Sequence, residues 1–185
     1  MKKRISARMA IVALLAVVAV LTVGVTLAYL HDMTDPLEEH FVPVEVACRV
    51  VMSDREDIAE NVAVMNTGDI SAYIRVATVV TWVSESSGTT YGGGPLLGSD
   101  YTVTMGDGGW FMGSDGFYYY KNAVAAGDVT PYLYASVAAV EGQAPEGYRL
   151  SVRFLASAIQ SAPAEAVTSA WHNVTVAADN TLTPQ

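Results

Sequence analysis

Ala72-Tyr73-Ile74-Arg75-Val76-Ala77-Thr78-Val79-Val80-Thr81-Trp82-Val83 is the run that decides the fold. Val, Thr and aromatic residues dominate it, which is the composition of a strand packed in a sheet. Working outward, the same character marks 42–52, 61–66, 101–105, 110–112, 117–121, 129–140 and 149–157, with a last strand over 173–177. Turn chemistry separates these runs. Asn66-Thr67-Gly68-Asp69, Gly92-Gly93-Gly94-Pro95, Asp107-Gly108-Gly109 and Asp115-Gly116 offer the positive φ that tight turns need. Asp115-Gly116 lies between apolar-aromatic runs and predicts a hairpin.

Two helical signals interrupt the pattern. Asp35-Pro36-Leu37-Glu38 reads as a short helix start, with Asp35 as cap and Pro36 at the first position. Ser161 to Trp171 carries Pro163 near its start and Glu165 in the first turn, and reads as a crossover helix. Short strands at this spacing with one crossover helix predict an all-β protein, a jelly-roll-like β-sandwich of two packed sheets. The expected organisation is a signal-peptide helix at 1–28, an arm at 29–41, one sandwich domain at 42–180 and a tail at 181–185.

The leader rests on its own signals. Lys2, Lys3, Arg4 and Arg8 form a basic start, and 9–27 is apolar apart from Thr22, Gly24 and Thr26. Thr26 and Ala28 match the −3 and −1 positions of a signal-peptidase site, with Tyr29 as the first mature residue. The apolar run is long for such a leader, so an uncleaved membrane anchor is the alternative. Either reading places the remainder outside the cytoplasm, secreted or at the cell surface. The membrane is then met only through the leader.

The whole chain has 10 basic and 19 acidic residues, net −9. Removing a 28-residue leader with four bases and no acid leaves 157 residues with six bases and 19 acids, net −13. Nucleic acid and anionic lipid are excluded as partners, because both require a cationic surface. The lone Cys48 has no internal disulfide partner. Alternation puts it with Val44, Val46 and Val50, as a small core hydrophobe.

Motifs for catalysis are sparse. There is no H-E-x-x-H pair, no G-x-S-x-G elbow, no phosphate loop and no calcium loop. His31, Asp32, Asp35, Glu38, Glu39 and His40 form an acidic, histidine-containing cluster, read as a solvated arm. Asp107 and Asp115 read as turn formers. Trp110, Tyr118 and Tyr120 form a candidate aromatic surface, since alternation separates Tyr118 and Tyr120 from Phe117 and Tyr119. No cofactor and no metal site is expected.

Several blocks together resemble the TasA/camelysin family of bacterial exported proteins, whose leaders are processed by a SipW-type signal peptidase. They are Gly24-Val25-Thr26-Leu27-Ala28-Tyr29-Leu30-His31-Asp32, with Phe41 as an aromatic before the first strand, and Asn66-Thr67-Gly68-Asp69 followed by Ala72-Tyr73-Ile74-Arg75-Val76. Asp115 to Lys121, Gly127-Asp128-Val129-Thr130 and Ala158-Ile159-Gln160 are similar to the later blocks. The resemblance implies a jelly-roll sandwich, in some members polymerised into biofilm-matrix fibres, with the mature N-terminal segment as donor strand. Here residues 29–41 would be that assembly arm, with Leu37 or Phe41 docking. The expected partners are copies of this chain or matrix and cell-envelope components, plus signal peptidase during export. The expected function is non-enzymatic and structural. The alternatives are an extracellular module binding glycan or protein through Trp110, Tyr118 and Tyr120, and third, a camelysin-like metalloprotease using His31 and His40.

Overall fold

The computed structural model describes residues 44–55 and 58–185. The leader with Thr26, Ala28 and Tyr29, and the arm with its expected helix start, Leu37 and Phe41, lie outside the described residues.

The described chain is an all-β sandwich. Its strands are β1 (Cys48–Arg55), β2 (Ile58–Asn66), β3 (Ala72–Ser84), β4 (Tyr101–Met105), β5 (Trp110–Met112), β6 (Tyr118–Tyr120), β7 (Tyr134–Ala139) and β8 (Tyr148–Gln160). Then follow one short helix, α1 (Ala164–Ala170), and the strands β9 (Val174–Val176) and β10 (Leu182–Pro184). One sheet has the order β1-β2-β7-β4 and the second β5-β6-β3-β8, all neighbours antiparallel. A two-stranded β9-β10 pair forms a third layer.

Alternation along β3 supplies two cores. Ile74 and Val76 face the first sheet and are fully buried among Val62, Val64, Leu133 and Val137. Tyr73, on the opposite face, is buried with Tyr119, Val167, Trp171, Val174 and Leu182 beneath α1 and the β9-β10 pair. The second sheet is therefore covered on both faces over half its length, a burden Val- and aromatic-rich strands are suited to.

Four expectations need correction. Over the described part of the expected first strand, from residue 44 on, the strand begins only at Cys48, because residues 45–47 are drawn to the loop after β2: Asp69 N–H donates to Glu45 O and Gly68 N–H to Ala47 O. The run 129–140 is regular only from Tyr134; Pro131 has no N–H to give a ladder, and Thr130 and Leu133 donate singly to Val64 and Val62. The expected C-terminal tail is β10: Leu182 is buried and its N–H donates to Lys121 O. Gly68 does not take positive φ. A Cβ there would sit 2.5 Å from Glu45 O, so its missing side chain admits the neighbouring chain. Gly116, by contrast, does adopt φ 80° in the β5–β6 turn.

Candidate assembly site

Two polar pins hold the strands that position the surface. Asn66 is fully buried at the end of β2. Its Nδ2 donates to Ile70 O and Val124 O, both at 2.8 Å, and its Oδ1 accepts from Gly68 N–H at 3.0 Å. Every polar atom of the side chain is matched, which is what makes a buried amide tolerable.

The second pin is on the outer face of β3. Arg75 lies between the rings of Phe117 and Trp171, its Cζ 4.3 Å and 4.9 Å from their centroids. Its Nη1 donates to the Tyr119 hydroxyl at 3.4 Å, and that hydroxyl donates to Asp115 Oδ2 at 2.6 Å. Partial burial pulls the Asp115 carboxyl upward, but hydrogen bonds from Tyr119, Asn173 and the Phe117 N–H outweigh it and hold the group below its ordinary 3.8. Burial, followed by the bond to Asp115, pushes the Tyr119 phenol up. Asp115 is thus more than a turn former: it fastens the β5–β6 hairpin to β3 and to the segment after α1.

The candidate aromatic surface is turned inward. Trp110, Tyr118 and Tyr120 are half-buried against the core between the sheets. Trp110 packs on Tyr120 at 5.4 Å and donates its ring N–H to Pro131 O. Tyr118 meets Tyr134 edge-on at 5.7 Å. These rings form no flat exposed platform. Tyr118 reaches a cavity, a cleft of about 580 Å³ also walled by Thr78, Val80, Leu97, Tyr101 and Tyr134. Among the described residues no group of three or more His, Cys, Asp or Glu is placed to hold a metal ion. His31 and His40 lie outside them, and His172 is exposed.

What sequence reasoning missed is an edge. β8 is 13 residues long and pairs with β3 through its whole length. Among the described residues no strand pairs its other side. The ladder's parity follows from β3: Ala72 and Ser84 N–H donate away from β8, to Val124 and Thr89, and Trp82 O accepts from Tyr91. Even-numbered residues of β3 therefore point away from β8, and odd-numbered ones bond to it. Arg153 faces Val79, so odd-numbered β8 residues return those bonds. The N–H and C=O groups of Leu150, Val152, Phe154, Ala156 and Ala158 point out of the sheet.

The apolar seam below this edge is incompletely covered. Val152, Phe154, Ala156 and Ala158 on β8, and Cys48 and Val50 on β1, pack on the core yet remain only partly buried. Burial pushes the Cys48 thiol up, in keeping with a small hydrophobe. Strand groups pointing outward over a half-covered apolar seam make a place where one more strand can be added.

No family model matches this chain, and no curated protein or solved structure matches it.

Proposed function

We propose that this chain is an exported, non-enzymatic structural protein that associates with copies of itself or with matrix and cell-envelope components. An extended segment of a neighbouring copy adds to the free side of β8. The single observation that carries this reading is the 13-residue edge of β8, unpaired among the described residues, lying over the half-covered seam of Val152, Phe154, Ala156 and Ala158. A guest strand there gains main-chain hydrogen bonds and buries alternate side chains, about 25 cal/mol for each Å² of apolar surface.

The resemblance to TasA/camelysin proteins supports the same reading, and the pins supply physical reasons for its blocks. Asn66 closes the first motif, Arg75 and Asp115 join the second to the third, and the Thr130 hydroxyl accepts from Val64 N–H. The arm at 29–41 is the donor this reading assigns, with Leu37 and Phe41 as its apolar contacts, released when signal peptidase cuts between Ala28 and Tyr29. Electron microscopy of the chain starting at Tyr29, with and without residues 29–41, tests it. Fibres are expected only from the longer chain; fibres unchanged by the deletion remove the arm, and their absence from both removes self-assembly.

A second reading, an extracellular binding module, keeps one favourable observation: the cleft beside Tyr118. Glycan-array binding that disappears in Tyr118→Ala would establish it.

A further inference from the structure

The two sheets do not stay closed on each other along the whole of β3. Ile74 and Val76 are fully buried between them, yet Thr78 and Val80, next on the same face, are only partly so. The cause lies in β6, which pairs with β3 at Arg75 and Val76 alone. Among the described residues the next segment on that side is met where Thr90 bridges Val83. Between those points β3 lacks a neighbour, and the cleft of about 580 Å³ opens there between β3 and β4. Small-molecule sites are about 300–1,000 Å³.

The lining is of two kinds. Val80, Leu97, Val103, Met105 and Val137 make apolar walls, while Thr78, Tyr101, Tyr118 and Tyr134 bring hydroxyls. Thr78 Oγ1 and Tyr134 OH share a hydrogen bond of 3.0 Å, and Tyr118 meets Tyr134 edge-on. That bond uses one of the two O–H groups, so one O–H and several lone pairs remain for other partners. Burial pushes the Tyr134 phenol up, which keeps it neutral at ordinary pH. Tyr134 is itself buried, so the hydroxyls mark the inner end, whereas Leu97 and Met105 at the rim are 65 % and 42 % exposed.

No Asp, Glu, Lys, Arg, His, Asn or Gln lines the cleft, and this decides the class of ligand. An ionised group would enter without a counter-charge, a heavy desolvation penalty. A sugar ring would give up water at many hydroxyls and find few partners. A molecule with an apolar body and one neutral hydrogen-bonding end loses little, and it covers Leu97 and Met105. We infer that this cleft binds an uncharged amphiphile of the medium-chain alcohol type, its polar end on the hydroxyls of Thr78, Tyr118 and Tyr134 and its chain along Val80, Val103 and Leu97. The inference rests on the binding-module reading, which it deepens, and is independent of self-association.

The test is a titration of the chain starting at Tyr29 with 1-octanol, octanoate and octylammonium at pH 7, followed through its backbone amide resonances. The three probes share one apolar body and differ in charge. 1-Octanol should shift the amides of Val80, Leu97 and Val103 saturably and leave those of Arg153 and Leu155, on the outer face, unmoved. The two ions should bind more weakly, on the order of tenfold. Two variants whose amide spectra away from the cleft match the parent complete the set. Leu97→Glu puts a charge at the rim; Thr78→Val with Tyr118→Phe keeps the shape and removes hydroxyls. Each should weaken 1-octanol on the order of tenfold. Ions bound as tightly as the alcohol, 1-octanol bound elsewhere, or an affinity unchanged in either variant would overturn the assignment. Maltotetraose shifting the cleft amides where 1-octanol does not would keep the binding module and remove the amphiphile. No response to any of the four probes would remove both.

Discussion

Asn66 shows how much a single side chain carries. It is wholly buried, with two donated and one accepted hydrogen bond. Asn66→Ala leaves Ile70 O, Val124 O and Gly68 N–H unmatched, and should destabilise the domain by about 3 kcal/mol in urea unfolding. Arg75→Lys keeps the charge but loses the planar group lying between Phe117 and Trp171, and should cost about 1 kcal/mol in the same measurement. Asp115 gives a pH signature. Its native pKa is lowered, so its contribution is complete above the unfolded value near 4 and is lost as pH falls through the native one. Asp115→Asn should therefore be less stable than the parent at pH 7, with the difference closing as pH falls below about 4. A constant difference over that range would contradict the assignment. The motifs containing these residues were legible in the sequence, but as turns and strand ends. Their bonds to Val124, Trp171 and Asn173 join segments dozens of residues apart, which local pattern does not encode.

At the scale of elements, strands with strong composition were legible nearly to the residue: Tyr101–Met105 and Trp110–Met112 stand where β-branched and aromatic content places them. β10 was not, because Leu182-Thr183-Pro184 has little strand character of its own and is held by β9 and Lys121. The aromatic alternation at 117–120 separated two faces correctly, but whether either stays bare depends on α1 and the β9-β10 pair, which cover one, and on the first sheet, which covers the other. The parity of β8 leads to a paired substitution. Leu155→Pro removes an N–H that bonds Ala77 and should cost about 3 kcal/mol or prevent folding. Ala156→Pro removes an N–H that points out of the sheet; it should unfold within about 1 kcal/mol of the parent and yet block association. Circular dichroism with sedimentation separates the two effects.

For the whole molecule, the sandwich class followed from strand count, spacing and the single crossover helix, whereas the free edge did not. An edge is a property of strand order, and β8 becomes one only because β3 lies between it and β6. The proposed self-association requires that this side of β8 receive another chain. Amide hydrogen exchange, resolved by residue and compared between dispersed and associated protein, measures this directly. The N–H groups of Val152, Phe154, Ala156 and Ala158 should exchange quickly when dispersed and become protected on association, while those of Ser151, Arg153 and Leu155 stay protected in both. Associated protein in which the even-numbered amides still exchange quickly would contradict the account.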